Sequence, residues 1–390
     1  MVSEAWRKEV LRSFGAGIAE AEELLAYNKN RFVQSAEQIQ SLPQFPMADE
    51  GFVPVWEAYL KETKDRNLID VLRSKLIQLQ FPIQQGISQT PAYRQAVLKG
   101  VMTSDIRVND GVCFSRPDLM DLNIHQTAAG KIPVLTTRHR PDFVKLVQAL
   151  TRKNEPVTIP DSMGACMIGG YNNWDRIWMH KKHWEQNHGG AHENGGWQEQ
   201  FSLLIAQKEL YQDRLILLTD GPYSSVIPDS SMSAEVWNEL SLVIRREHEA
   251  AHYFTRRVFS SMENNMMDEL IADYAGITAA NGTYKAEWFL HFIGLEQYPS
   301  YREGGRLQNY KGNPPLSDSA MYILQALLVQ AAQNLSRFAE KLQHSQHPIR
   351  LEHMLVTLCC LTLEELASEE GEQLLDKHYT YWTIDKSARL

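Results

Sequence analysis

The feature that most constrains the fold is a long amphipathic helix, which the sequence predicts from an N-cap at Ser233 to about Phe259. Apolar residues recur along it at helical spacing, so one face must be buried against another element. His248 and His252 fall on this apolar face. Buried histidines need a bonding partner, so the two rings require an explanation. The members of the stripe are Leu240, Val243, Ile244, Glu247 or His248, Ala251 or His252, Thr255, and Val258 or Phe259.

The two histidines belong to the pentapeptide His248-Glu249-Ala250-Ala251-His252. Residues four apart on a helix are separated by about 40° around the axis and about 6 Å along it, so both imidazoles can reach one ion. Zinc suits histidine nitrogen, and a Glu directly after the first ligand can take the proton of a metal-bound water. The sequence therefore predicts one zinc ion held by His248 and His252, with Glu249 as the general base.

A catalytic zinc usually has three protein ligands, and Glu269 is the third that the sequence offers. A second helix is predicted to begin after Asn265, and an antiparallel return would bring Glu269 opposite the histidines. Asp273 lies on the same flank and could accept the remaining N–H of a ligand imidazole. Ala272 and Gly276 share that flank, and their small side chains would let the two helices approach closely.

The pentapeptide, followed by Glu269-Leu270-Ile271-Ala272-Asp273, resembles the gluzincin branch of zinc metallopeptidases, the thermolysin-like enzymes with a Glu-x-x-x-Asp second motif. The resemblance implies the same three ligands, with Glu249 as general base and Asp273 orienting a ligand histidine. It is confined to about residues 245–276. The proton donor of that family has no motif match here, and the residues that stay open for this role are Tyr253, Tyr274, His291 and Tyr301.

These residues predict a zinc-dependent hydrolase, a metallopeptidase or amidohydrolase whose partner is a peptide or small-molecule substrate. Two other classes remain open. Glu185-x-x-His188 and Glu249-x-x-His252 together resemble the paired motifs of di-iron carboxylate oxidoreductases. A non-catalytic, metal-stabilised binding or scaffold protein would keep the three metal ligands but would have no need of Glu249.

Two further segments carry candidate side chains. Residues 179–192 are rich in lysine and glycine, which favours a solvated lid over a second metal site. The histidines of this segment are His180, His183, His188 and His192. A loop predicted at residues 298–315 could bind a substrate carboxylate or phosphate, since arginine presents a bidentate fork. An ordinary surface loop is the alternative, and its candidate residues are Tyr301, Arg302 and Arg306.

Composition narrows the class of protein. The formal net charge of −9 argues against a general nucleic-acid binder. No stretch approaches the roughly 20 apolar residues that span a bilayer, and the first residues do not read as a secretory signal, so no membrane partner is expected. The 4 cysteines are few for a chain of this length, which predicts a cytoplasmic protein. They form no Cys-x-x-Cys pair, so no thiolate zinc site is expected.

The fold class predicted is α+β and predominantly helical. Residues 1–130 form a helical N-terminal region, and residues 131–390 form a zincin-like region with a small sheet and a helical C-terminal part. The predicted strands are Ile132–Thr137, Pro156–Ile159 and Arg214–Leu218. Glycine-rich loops are predicted at residues 161–174 and 188–197, and neither fits a phosphate-binding motif. The last helices are predicted at Asp318–Leu342 and Pro348–Ala367.

Overall fold

The computed structural model describes residues 2–33, 35–101, 111–187, 196–227, 232–263, 265–344 and 349–384. The chain divides into two compact units. One consists of Met1–Met47 and Gly221–Leu390, and the other of Ala48–Asp220. We call the first the helical unit and the second the sheet unit. None of the described helices is long and apolar enough to cross a membrane.

Within the described residues, helices dominate both units and a single sheet lies in the sheet unit. The helices, in chain order, are α1 (Glu4–Ser13), α2 (Ile18–Tyr27), α3 (Ala36–Gln40), α4 (Val53–Glu62), α5 (Leu68–Lys75), α6 (Pro91–Lys99), α7 (Arg140–Thr151), α8 (Trp174–Asn187), α9 (Gly196–Ala206), α10 (Ala234–Phe259), α11 (Met266–Asn281), α12 (Ala286–Ile293), α13 (Asp318–Gln343), α14 (Leu351–Cys359), α15 (Leu363–Ala367) and α16 (Gly371–Ile384). The strands are β1 (Met120–Thr127), β2 (Gly130–Thr137), β3 (Ala165–Asn172) and β4 (Gln212–Thr219). The α+β, mostly helical class is therefore confirmed.

The sheet has the strand order β1-β2-β4-β3. β1 and β2 form an antiparallel hairpin, β2 runs parallel to β4, and β3 pairs antiparallel with β4. The strands predicted at Ile132–Thr137 and Arg214–Leu218 are confirmed as parts of β2 and β4. Their apolar residues pack in a core with α4, α5 and α7. The core residues include Trp56, Leu72, Leu135, Phe143, Leu146 and Leu217.

The third strand prediction was wrong, and two strands of the sheet were not predicted. Pro156–Ile159 is not a strand. Pro156 begins the segment and Pro160 follows it, and neither has the N–H donor that pairing with a neighbouring strand needs. β3 lies inside the segment that was predicted as a loop, residues 161–174. The strand tolerates Gly169 and Gly170 because they lie at an irregularity of its pairing with β4, between Ile168 and Tyr171. β1 escaped prediction because most of its residues are polar and only Leu122 is buried.

The boundary predicted at residue 130 differs from the observed division. α4 and α5, which belong to the predicted helical region, pack against β1 of the sheet. Residues 48–130 therefore belong with the sheet, because its buried face needs their apolar residues. α1 and α2 instead join the helical unit, where α2 packs against α13.

The helix predicted at Pro348–Ala367 is two helices, α14 and α15, and Pro348 lies outside the described residues. Thr362 separates the two helices as the N-cap of α15. Its side chain accepts the N–H of Glu365, and the Glu365 carboxylate accepts the Thr362 N–H in a capping box. The sequence Thr-x-x-Glu is the signal that starts a new helix here.

Candidate metal centre

The helix that carries the two histidines is α10, and its predicted extent is confirmed. The Ser233 side chain accepts the N–H of Val236 at the start of the helix, and the left-handed residue Ser260 (φ 55°) ends it. α11 begins where predicted, because the Asn265 side chain accepts the N–H groups of Met267 and Asp268. Both helices are thus fixed by local capping as well as by their buried faces.

The two helices pack closely at Gly276. A β-carbon at this position would lie 2.8 Å from the backbone oxygen of Ile244 and 2.9 Å from its Cγ2 atom. Only glycine allows this approach. α11 consequently lies against α10 over its first turns, and Glu269 reaches the face that carries His248 and His252.

The structure brings the three predicted ligands together. His248 Nε2 lies 3.1 Å from His252 Nε2. The Glu269 carboxylate lies 3.7 Å from the first of these nitrogens and 3.6 Å from the second. Two ligands at the usual zinc distances are about 3.3 Å apart in a tetrahedral site. The cluster therefore has the dimensions of a site for one small cation, and all three residues are buried.

Carboxylates lie behind both imidazoles. His248 Nδ1 is 2.9 Å from Asp273 Oδ1, as the sequence predicts for Asp273. His252 Nδ1 is 3.3 Å from Asp268 Oδ2, which is an ion-pair distance without the alignment of a hydrogen bond. A carboxylate only accepts, so the proton of a neutral ring lies on Nδ1 and its Nε2 faces the cluster. The two Nε2 atoms are within hydrogen-bond distance of each other, so a proton or a metal cation must lie between them.

The charge balance of the cluster points in the same direction. Both Asp268 oxygens and Glu269 Oε2 are buried and have no hydrogen-bond partner in the described part of the chain. Burial lowers the pKa of His252, but Asp268, Glu269 and Glu249 outweigh it and raise the pKa to about 10. The cluster thus attracts a cation, and in the absence of metal a proton takes that role.

A tyrosine and an arginine complete the surroundings of Asp273. The Tyr223 hydroxyl donates to Asp273 Oδ1 at 2.6 Å, and Arg306 donates to both the Tyr223 hydroxyl and Asp273 Oδ2. Burial alone would raise the pKa of Asp273, but Arg306, His248 and Tyr223 hold it below its ordinary value. Asp273 is therefore ionised and accepts from three donors.

Tyr223 was missed by the sequence reasoning. It lies in a short 3-10 helix at Tyr223–Ser225, outside any motif. α10 fixes this segment, since Ser241 Oγ accepts the Tyr223 N–H and Arg245 donates to the carbonyls of Gly221 and Pro222. No signal in the sequence distinguishes Tyr223 from other tyrosines, because its role depends on tertiary packing.

The loop residues predicted to bind substrate have separate positions. The Tyr301 hydroxyl donates to the Gly305 carbonyl at 2.6 Å, and Arg302 pairs with Glu296 and donates to the His291 carbonyl. These two side chains brace the loop itself. Arg306 alone of the three is bonded to the metal centre, through Asp273.

Glu249, the predicted general base, is half-buried on α10 next to His248. Its carboxylate forms no hydrogen bond or ion pair with another residue that the structure describes. It is close enough to raise the pKa of His252. Among the candidate proton donors, Tyr274 stacks on Tyr284 with ring centroids 5.4 Å apart, which commits its ring to the core. The half-buried Glu249 carboxylate beside the ligands suits proton transfer.

The histidine segment lies in the sheet unit. His180 and His183 are on α8, whereas His188 and His192 fall outside the described residues. Glu185 pairs with Lys181 at 3.8 Å. Within the described ranges, the candidate metal cluster is formed by His248, His252 and Glu269, without Glu185. The lid, the second metal site and the di-iron pair depend on residues outside this part of the chain and stay predictions.

Comparison with known proteins places the chain in a family. The profile of a family of unknown function (DUF7005) matches residues 9–370, and the chain belongs to this family. No curated protein and no solved structure matches it. The function must therefore be inferred from the site itself.

Proposed function

We propose that this protein is a zinc-dependent hydrolase that cleaves a peptide or amide bond at a zincin-like centre between α10 and α11. The observation that carries the proposal is the convergence of two histidine Nε2 atoms 3.1 Å apart beside a buried carboxylate. Nitrogen and oxygen donors in this number and spacing suit zinc, which takes three protein ligands in catalytic sites. His248, His252 and Glu269 would hold the ion.

When bound, zinc would polarise a substrate carbonyl and lower the pKa of a water molecule to about 7. The protein's own residues transfer the proton. Glu249 accepts one proton of the attacking water as the new C–O bond forms, and returns it to the leaving nitrogen as the C–N bond breaks. One water is consumed, and the products are a carboxylic acid and an amine.

The carboxylates behind the histidines keep both rings oriented. Asp273 accepts the Nδ1–H of His248, and Asp268 faces Nδ1 of His252. Such outer contacts fix the tautomer and increase the basicity of the ligand nitrogen. A purely structural zinc site would have four protein ligands. Among the described residues the cluster has three, with Glu249 directly after the first of them, and this favours the hydrolase over the scaffold protein.

The proposal is tested with a library of quenched fluorescent peptides and aryl amides, using wild type and Glu249→Gln. We expect the variant to keep its zinc and its fold while cleavage falls by at least about 100-fold. Glu9→Gln, at an exposed site on α1, is the control for removing one carboxylate. Retained cleavage in Glu249→Gln would remove Glu249 from the mechanism. Cleavage that persists after complete zinc removal would contradict the proposed function.

A further inference from the structure

One largely buried arginine spans two carboxylates of the candidate metal centre. The Arg306 side chain is 15% exposed, and its Nη2 atom donates to Asp273 and lies 3.5 Å from Glu269 Oε2. Its Nη1 atom donates to the Tyr223 hydroxyl. Glu269 and Asp273 are on successive turns of the same face of α11, so one planar guanidinium can face both.

The loop that carries Arg306 is itself held in place. A β-carbon on Gly305 would lie 2.6 Å from both Gly294 Cα and the Ile293 carbonyl oxygen, so the loop packs directly on the end of α12. The Arg302 N–H donates to the Gly294 carbonyl at 2.8 Å, and the Tyr301 hydroxyl closes the loop on Gly305. Arg306 therefore starts from a fixed backbone, which a group that positions others requires.

A positive charge at this point offsets the repulsion among the buried carboxylates of α11. Asp268, Glu269 and Asp273 place three carboxylates within two turns of α11, and all are buried. Like charges in a buried site repel, and without a cation the side chains would move apart or take up protons. Arg306 is the cation that faces two of the three.

We propose that Arg306 is a positioning residue of the metal centre and not the substrate-binding residue expected from the sequence. It holds Asp273 against His248 and Glu269 beside the two Nε2 atoms before the ion enters. This inference rests on the proposed zinc site, and it assigns the loop at residues 298–315 to assembly of that site.

The experiment compares Arg306→Lys and Arg306→Met with wild type. Zinc affinity is measured by competition with a chromophoric chelator, and the folded fraction is measured by urea unfolding. Loss of a partner behind a metal ligand typically weakens binding by about 10–100-fold, and we expect this range for both variants. Lysine keeps the charge but lacks the fork, so Arg306→Lys decides the question if Arg306→Met does not fold.

Arg7→Met is the matched control. Arg7 is 13% exposed and pairs with the buried Glu364 elsewhere in the helical unit, so this variant also loses a buried arginine ion pair. We expect lower stability with unchanged zinc affinity. If Arg306 only anchored its loop, its variants would behave in the same way as Arg7→Met. Zinc affinity within twofold of wild type in folded Arg306→Lys would overturn the proposal.

Cobalt substitution gives a second readout, because the visible absorption of Co2+ is stronger in four-coordinate than in five-coordinate sites. In Arg306→Met, Asp273 and Glu269 lose the group that positions them, so we expect a visible band that differs from that of wild type. An unchanged spectrum would contradict the positioning role. If wild type itself binds neither metal, the proposed function fails; if it binds and the Arg306 variants match it, only the positioning role fails.

Discussion

Asp268 lies behind His252, with Oδ2 3.3 Å from Nδ1, and both side chains are buried. Asp273 has the equivalent position behind His248 at 2.9 Å. Each imidazole of α10 thus has its own carboxylate from α11, and Glu269 on the same helix faces the opposite nitrogens. α11 supplies the third ligand and both outer partners, so the packing of these two helices determines the whole centre.

Replacement of Asp268 by alanine should weaken zinc binding by about 10–100-fold, because His252 loses the partner that fixes its tautomer and ring orientation. Asp268→Asn should lie between this variant and wild type, since the amide oxygen can still face Nδ1 of His252 but carries no charge. The measurement is zinc affinity by chelator competition. Asp318→Ala removes an exposed carboxylate at the start of α13 and should leave the affinity unchanged. Equal affinity in Asp268→Ala would refute the role of Asp268.

The contact at Gly276 makes a prediction about stability. In Gly276→Ala the new methyl group meets Ile244 at 2.8 Å, so the helices must separate. Overpacking of this kind costs about 1–3 kcal/mol, which offsets the gain of roughly 1 kcal/mol in helix propensity. We expect lower stability in urea unfolding together with weaker zinc binding. Ala279→Ser, on the exposed side of α11, is the control; a Gly276→Ala protein that matches it in both measurements would contradict the close-packing argument.

A buried carboxylate of the sheet unit predicts a dependence of stability on pH. Asp142 is fully buried and accepts the N–H groups of Ser115 and Arg116. Burial alone would raise the pKa of Asp142, but these N–H groups hold the pKa below its ordinary value. A depressed folded-state pKa adds stability above the unfolded pKa of about 3.9, and this contribution is lost as pH falls through the folded value.

Asp142→Asn should therefore lower the free energy of unfolding by about 2 kcal/mol at pH 7. The difference from wild type should shrink as pH falls below about 4 and through the lower folded-state pKa, because the carboxyl of the unfolded and then of the folded wild-type protein becomes neutral. Urea unfolding between pH 7 and pH 3 measures both. Asp118→Asn removes an exposed carboxylate that pairs with Arg116, and it should show little change at either pH. A constant difference across the range would show that charge is not the cause.

The sequence predicted the ligands of the candidate site because the information is local. The spacing of His248 and His252, the cap at Asn265 and the offset to Glu269 are all readable along two helices. Gly276 was expected to allow close packing for the same reason. Tyr223 could not be predicted, and Arg306 was assigned a different role, because both reach Asp273 from distant segments.

Prediction of the fold had a similar limit. β2 and β4 are apolar and buried, so their composition predicts them as strands. The polar edge strand β1 and the glycine-containing β3 are strands because they pair with their neighbours, which composition does not reveal. The division into two units could not be predicted from local sequence patterns either, since α1 and α2 contact helices that follow more than 200 residues later. Local patterns identify elements, but only tertiary contacts assign them to a unit.

The most direct test of the central claim is the metal content of purified protein, measured by elemental analysis before and after addition of zinc. The account predicts one zinc per chain in wild type, retained in Glu249→Gln and lost in both His252→Ala and Glu269→Gln. Circular dichroism of the two ligand variants would show whether the loss follows from unfolding. Less than half an equivalent of any transition metal in folded wild type, with none bound on addition of zinc, would contradict the account.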